Sequence, residues 1–147
     1  MSPDELAWKA AVTETRAVLQ KASETWAAHS CPGTAECCAF PVQSSGERRV
    51  PWLWPSEWRV LLQRLARDKR PVPPPRDDGA CPFLSADSKC TVYADRPFGC
   101  RTFFCHRRIG PAKEPAAATH ALLERIGAAN LAVDSDAAPR SLLDWLR

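Results

Sequence analysis

The stretch from residue 81 to residue 105 reads CPFLSADSKCTVYADRPFGCRTFFC and carries four cysteines. These are Cys81, Cys90, Cys100 and Cys105, separated by eight, nine and four residues. Thiolates are soft ligands, which select zinc, copper(I) or iron–sulfur clusters over hard ions such as calcium and magnesium. So dense a group of thiols predicts a metal centre, and we expect the fold to be organised around it.

Three further cysteines precede this stretch, so that the chain has seven in total. An odd number argues against a framework of paired disulfides. The N-terminus lacks the apolar run of a secretory signal, so we expect a cytoplasmic, reducing environment in which thiols bind metals. The candidate metal ligands are therefore Cys31, Cys37, Cys38, Cys81, Cys90, Cys100 and Cys105.

The length and composition favour one small domain over residues 1–147. A chain of this length has only a modest interior to fill. Its net charge of +3 is too small to keep it unfolded by repulsion, and six Trp with five Phe favour a compact core. We expect thiolates that hold a metal to supplement this core, because metal binding is then part of the folding free energy.

Apolar periodicity predicts an α+β fold that is mainly α, with a short β-hairpin component. The first helix is predicted to run to about Ala28 with Ser2 as its N-cap, since Glu5 completes a capping box with Ser2 and Pro3 stands at the first helical position. Four more helices are predicted in the rest of the chain. Their ranges are Pro55 to Arg67, Pro97 to Phe104, Pro115 to Ala129 and Pro139 to Leu146.

Two hairpins are predicted where apolar runs flank turn-forming residues. The first pairs residues 40–43 with residues 48–53. The second pairs residues 81–84 with residues 90–93 and would bring its two cysteines close together.

Between the two cysteine-bearing halves, the proline-rich stretch 69–79 is predicted to be an extended spacer. Apolar residues recur at helical spacing, among them Leu61, Leu62 and Leu65 on the second helix and Leu123 on the fourth. On the first helix, one face is expected to pack inward, and it consists of Trp8, Val12, Leu19, Ala22 and Trp26. The last two helices are expected to cover the cysteine region.

In the later cysteine stretch, residues other than cysteine also form part of a motif. Its parts are Cys81-Pro82-Phe83-Leu84, Cys90-Thr91-Val92-Tyr93, Arg96-Pro97 and Cys100-Arg101-Thr102-Phe103. This pattern resembles the CPFL…C-x-[IV]-Y…R-P…C-R…F motif of the YkgJ-type cysteine-cluster family, also described as a zinc- or iron-chelating domain. The resemblance implies metal binding. It implies no particular reaction, because members include iron–sulfur proteins and, within larger chains, flagellin lysine methylases.

The earlier element of that family, C-x2-C-x2-C-C, is matched less fully. Cys31, Cys37 and Cys38 stand at three of its four cysteines, but Thr34 stands where the family has the second. Either His29 completes such a site or a coordination position stays open. We expect at least one of the three cysteines to join the later ligands in a shared centre. Neighbouring side chains in extended backbone point to opposite sides, so of the adjacent pair we expect one ligand and one spectator.

The ligand spacing favours an iron–sulfur cluster over Zn²⁺, and both remain open. Structural zinc sites take their ligands in C-x2-4-C knuckles, and only Cys100 to Cys105 meets that spacing. Cys-Pro steps occur at Cys31 and Cys81, as they do beside cluster ligands. Several Phe side chains crowd the later stretch, and an apolar shell limits the access of water to a cluster.

Other polar residues near the cysteines are expected to have structural functions. His106 could complete a site, as His29 could, but surface histidines are common. Arg96 and Arg101 are expected to hold the loops through ion pairs or backbone hydrogen bonds. The charged run 64–78 interleaves arginine and lysine with aspartate, which is typical of a solvated surface.

Three classes of function follow from the cysteine pattern. They are a redox or electron-transfer component with an iron–sulfur cluster, a structural zinc module that serves interaction, and a group-transfer component by analogy with the methylase relatives. The expected partner is an unidentified protein or redox partner. A nucleic-acid partner is not expected, and neither is a membrane, because no stretch approaches the roughly 18 consecutive apolar residues of a spanning helix.

The substitution Thr34→Cys tests the earlier element. If that element supplies ligands, a restored thiolate is expected to tighten metal retention and to lower any activity that depends on an open coordination position. Retention is measured as metal content after dialysis against a chelator, with Thr34→Ser as the control that adds no soft ligand. Unchanged retention, with Cys31, Cys37 and Cys38 all freely alkylated in the metal-loaded protein, would contradict a shared centre.

Overall fold

Five α-helices and a two-stranded sheet make up the computed structural model, which describes residues 1–28, 36–40, 42, 44–102 and 115–147. The prediction of a mainly helical fold with a small β component is confirmed. Two short 3₁₀ turns cover Glu36–Ala39 and Tyr93–Asp95. The helices are α1 (Pro3–Thr25), α2 (Pro55–Arg67), α3 (Phe98–Thr102), α4 (Ala116–Val133) and α5 (Leu142–Trp145), and the strands are β1 (Trp52–Leu53) and β2 (Arg140–Ser141).

Helix α1 begins with the predicted capping box. The Ser2 Oγ accepts the Glu5 backbone N–H at 3.1 Å, and a carboxylate oxygen of Glu5 accepts the Ser2 N–H at 2.7 Å. The helix ends at Thr25 rather than near Ala28. The reason is Trp26, which is buried, leaves helical geometry and donates its ring N–H to the Thr119 hydroxyl on α4 at 2.9 Å.

In the first predicted hairpin, the pairing predicted for the second strand is wrong. Val42 and Arg48 form an isolated antiparallel bridge around a turn at Gly46, whose φ of +85° favours glycine. Strand β1 pairs instead with β2, in the antiparallel register Trp52 to Ser141 and Leu53 to Arg140. A local turn pattern contains no information on a partner so distant in sequence.

The same pairing shortens the last predicted helix. Residues 140–141 are extended in β2, and α5 starts only after Ser141, whose hydroxyl accepts the Asp144 N–H at 3.2 Å. Helix α4 extends to Val133 rather than Ala129, and in this added turn the Asn130 side-chain amide donates to the Ile126 carbonyl one turn earlier at 2.9 Å. The predicted bounds of α2 are confirmed at both ends.

Two apolar clusters lie on either side of α2. On the predicted inward face of α1, Val12, Leu19, Ala22 and Trp26 are buried. Leu62 is 37% exposed and Leu123 is 42% exposed, so apolar residues at helical spacing do not all face inward. Since α2 buries two sides, Leu62 falls just outside the buried arc. The first cluster contains Val12, Val18, Leu19, Ala22, Val60, Phe98, Leu122 and Ile126, and the second contains Phe40, Leu53, Trp58, Leu61, Leu65, Phe83, Val92 and Leu142.

A buried polar network joins α1, α2 and α4. The Ser56 N–H donates to the Asn130 side-chain oxygen at 2.9 Å, and the Asn130 amide donates to the Ser56 hydroxyl at 2.7 Å. The Thr15 hydroxyl lies 2.7 Å from the same Ser56 oxygen. All three side chains are fully buried, so their mutual hydrogen bonds offset the cost of removing them from water.

Glu57 is a buried carboxylate that connects two helix starts. One of its oxygens accepts the Trp54 N–H before α2 at 2.7 Å, and the other accepts the Phe98 N–H of α3 at 2.8 Å. Burial raises the pKa of Glu57 from 4.5 to about 7, against the lowering effect of these two hydrogen bonds and of the Arg101 charge.

In the described part of the chain, none of the helices has both the length and the apolar character needed to cross a membrane.

The raised pKa of Glu57 predicts a pH dependence of stability. Between pH 4.5 and about 7 the folded state keeps a proton that the unfolded state has lost, so the free energy of unfolding is expected to fall as pH rises through this range. The change amounts at most to between about 3 and 4 kcal/mol, since one pKa unit corresponds to about 1.4 kcal/mol. Urea unfolding at a series of pH values measures it.

Glu57→Gln is expected to remove this pH dependence and to lower stability at pH 5, because its amide nitrogen, unlike the hydroxyl oxygen of the protonated carboxyl, cannot accept a hydrogen bond from the backbone N–H group that it faces. Glu47→Gln, at an exposed turn, serves as the matched control. An unchanged pH slope in Glu57→Gln would contradict the assignment.

Candidate metal centre

Cys81 and Cys90 lie on the second predicted hairpin, which the structure confirms in outline. Leu84 and Cys90 form an antiparallel bridge. The Phe83 carbonyl accepts both the Thr91 N–H at 2.9 Å and the Thr91 hydroxyl at 2.8 Å. These bonds fix the register of the hairpin and so the positions of its two cysteines.

The first cysteine segment meets the hairpin through the backbone. The Cys81 N–H donates to the Cys38 carbonyl at 2.7 Å. Phe40, two residues after Cys38, has a φ of +53°. Its buried ring packs in the same apolar cluster as Phe83. The two cysteine-bearing halves of the chain are therefore joined at this point.

An apolar surface lies behind the hairpin cysteines. Cys81 and Cys90 are half-buried and pack against the second cluster, which includes Leu142 of α5. Trp145 of α5 stacks on Trp58 with ring centroids 6.0 Å apart, and its ring N–H donates to the Leu53 carbonyl at 3.0 Å. The expectation that the C-terminal helices cover the cysteine region thus holds for α5, whereas α4 packs mainly on α1.

Cys100 lies on α3, which Arg101 anchors to the rest of the fold. The Arg101 guanidinium donates to the Arg96 and Ala94 carbonyls, each at 2.8 Å, and to the Ser23 hydroxyl on α1 at 2.9 Å. Burial lowers the pKa of Arg101, with a further contribution from the Arg96 charge. Because its donors are used within the chain, Arg101 has the predicted structural function.

Arg96 connects the Tyr93–Asp95 turn to the same helix. Its guanidinium donates to the Tyr93 carbonyl at 3.1 Å and to the Cys100 carbonyl at 3.4 Å, and it lies 4.0 Å from the centre of the Tyr93 ring. The predicted structural function is confirmed here as well.

Several predicted site residues lie outside the described part of the chain. Across residues 1–28, 36–40, 42, 44–102 and 115–147, no three His, Cys, Asp or Glu side chains are grouped so that they could hold a metal ion. His120, which is described, is exposed and lies 3.0 Å from Glu124. The residues outside the description are His29, Cys31, Thr34, Cys105, His106 and the side chain of Cys37.

The donor set of the described cysteines fits a soft metal. Cys38, Cys81, Cys90 and Cys100 offer sulfur and are half-buried, which is the chemistry that zinc and iron–sulfur clusters take. Arg101 interacts electrostatically with Cys100, since the charge of Cys100 opposes the lowering of the Arg101 pKa by burial.

Glu57 was missed by sequence reasoning, although it holds the helix that carries Cys100. An acidic residue in the first turn of a helix indicates an ordinary surface cap. The bulky, apolar Trp54 and Trp58 nearby were the only signal that this cap is buried.

A family model described as CxxCxxCC, a putative zinc- or iron-chelating domain, matches residues 29–119. No curated protein and no solved structure matches the chain. The matched range covers more than half of the sequence and contains all seven cysteines. The chain therefore belongs to the CxxCxxCC family of zinc- or iron-chelating domains, and metal binding is the property that this membership gives it.

Proposed function

We propose that the cysteines hold an iron–sulfur cluster and that the protein is a redox or electron-transfer component. The observation that carries this proposal is the placement of the hairpin thiols. Cys81 and Cys90 pack against an apolar cluster, and the hydrogen bond from the Cys81 backbone N–H to the Cys38 carbonyl joins their hairpin to the first cysteine segment.

The distribution of the thiols supports a cluster over a single zinc ion. The described cysteines belong to three elements: the Glu36–Ala39 turn, the hairpin and α3. Thiolates that share one zinc lie roughly 4 Å apart, because each Zn–S bond is about 2.3 Å. Sulfurs on different irons of a cluster are spread more widely. The spacing also favours a cluster, because structural zinc sites take C-x2-4-C pairs and only Cys100 to Cys105 meets that spacing.

The apolar surroundings support a redox function. An iron–sulfur cluster accepts and releases single electrons, at a potential set by solvent exposure and by hydrogen bonds to its sulfurs. Phe40, Phe83 and Val92 are buried beside the hairpin and exclude water from that side. Arg96 and Arg101 hold α3 and add positive charge near Cys100, which offsets the negative charge of several thiolates.

A structural zinc site is the second candidate, because the family description covers zinc as well as iron. The contacts of the hairpin suit it too, since Cys81 and Cys90 belong to a cluster that packs α2 against α5. A zinc ion there would stabilise the fold without redox chemistry.

Anaerobic purification is expected to give protein with iron and acid-labile sulfide in equal amounts and with visible absorption. Cys81→Ser and Cys90→Ser are expected to lose most of that absorption. Thr91→Ser is the matched control in the same hairpin, because serine keeps the hydroxyl that bonds the Phe83 carbonyl, and its absorption is expected to be retained. A colourless protein that holds zinc without iron or sulfide would contradict the cluster and establish the second candidate.

Removal of the metal is expected to lower the unfolding midpoint by at least about 10 °C. The reason is that metal ligation contributes several kcal/mol of folding free energy, and about 1 kcal/mol shifts the midpoint of a domain of this size by roughly 3 °C. Thermal unfolding by circular dichroism, before and after treatment with a strong chelator, measures the change. Metal added back should restore the midpoint. An identical midpoint without metal would show that the cysteines do not hold the fold.

A further inference from the structure

Arginine side chains are concentrated beside the cysteine-bearing hairpin. Arg16 comes from α1, Arg64 and Arg67 come from the last turn of α2, and Arg70 follows α2. We call these four residues, together with Asp68 and Asp95, the arginine patch. Four guanidinium groups against two carboxylates leave an excess of two positive charges, in a chain whose whole net charge is +3.

Asp95 is the centre of the arginine patch. Its carboxylate lies 3.1 Å from Arg16, 3.0 Å from Arg64 and 3.5 Å from Arg67. One carboxylate neutralises one guanidinium, so an ordinary structural ion pair would need only one of these arginines. Like charges held this close together repel one another, and a further anion would relieve that repulsion.

The arginines of the patch differ in how far their side chains are exposed to solvent. Arg64 is 22% exposed and is held by Asp68 at 2.6 Å as well as by Asp95. Arg16 is 40% exposed and Arg67 is 66% exposed. A guanidinium has five N–H donors in a planar fork that matches a carboxylate, so these two side chains can bind a second anion while they stay near Asp95.

The orientation of Arg16 is fixed before any partner arrives. Besides Asp95, it donates to the Gln63 side-chain oxygen on α2 at 2.8 Å. A side chain that is already ordered loses less conformational entropy on binding. Arg16 is therefore preorganised, and so is Arg64, which two aspartates hold beside it.

The arginine patch lies directly beside the candidate metal centre. Arg70 donates to the carbonyl of Thr91, the residue after Cys90, at 3.0 Å. Asp95 belongs to the turn between Cys90 and Cys100. A protein that docked on the arginine patch would thus contact the segment that carries these two cysteines.

We propose that the arginine patch is the docking surface for an acidic protein partner of the cysteine-ligated centre. The identity of this partner as a redox protein rests on the proposed function, whereas the docking itself does not. Carboxylates are favoured over nucleic-acid phosphates because the patch is compact around Asp95, whereas a nucleic-acid backbone is bound along an extended basic stripe. Arg76, which would extend it along the chain, is instead paired with Asp78 at 2.7 Å.

The test uses the full-length protein as purified, with labelled oligoglutamate as the acidic probe and single-stranded DNA of matched length as the second probe. Oligoglutamate is expected to bind, and its affinity should fall as salt increases. The variant Arg16→Gln/Arg67→Gln is expected to weaken this binding by about tenfold. The matched control is Lys21→Gln/Arg147→Gln, which removes the same charge from exposed positions outside the arginine patch.

Equal weakening in both double variants would show that net charge alone attracts the probe, and would overturn the proposal. Tighter binding of DNA that depends on Arg16 and Arg67 would overturn it in favour of a nucleic-acid surface. Absence of oligoglutamate binding at low salt would also overturn it. Metal content is measured on the same samples, so a zinc-loaded protein that still binds through the arginine patch would refute the redox function while the docking surface stands.

Discussion

The hydrogen bonds of the Glu57 side chain are the contacts on which the relative placement of α2 and α3 most depends. It accepts one backbone N–H at the start of α2 and one at the start of α3. Helix α2 separates the two apolar clusters, and α3 carries Cys100, so one buried side chain relates the core of the fold to a candidate ligand. Arg101 reinforces this arrangement by tying α3 to α1 and to the turn before it.

Elements with a local signal were predictable from the sequence. Helix α2 has a proline in its first turn and apolar residues at helical spacing, and both of its ends were predicted. The hairpin from Cys81 to Tyr93 has turn-forming residues between two apolar runs, and its pairing at Leu84 and Cys90 was predicted too. The cysteines and the family were recognisable because a motif is a property of the sequence itself.

Features made by distant parts of the chain were not predictable in this way. The pairing of β1 with β2 and the network of Thr15, Ser56 and Asn130 depend on segments far apart in sequence. The arginine patch is a similar case. Charges that alternate along residues 64–78 indicate a solvated surface, and only the fold brings Arg16 of α1 to Asp95.

The stacked rings of Trp58 and Trp145 also have an optical consequence. Trp58 lies in the apolar cluster against which Cys81 and Cys90 pack, and Trp145 packs against the same cluster. Their ring planes are 17° apart, which makes the two rings a coupled pair of chromophores. A coloured centre bound by these thiols would quench their emission, whereas a colourless zinc ion would not. The protein thus carries its own fluorescent reporter of what its cysteines hold.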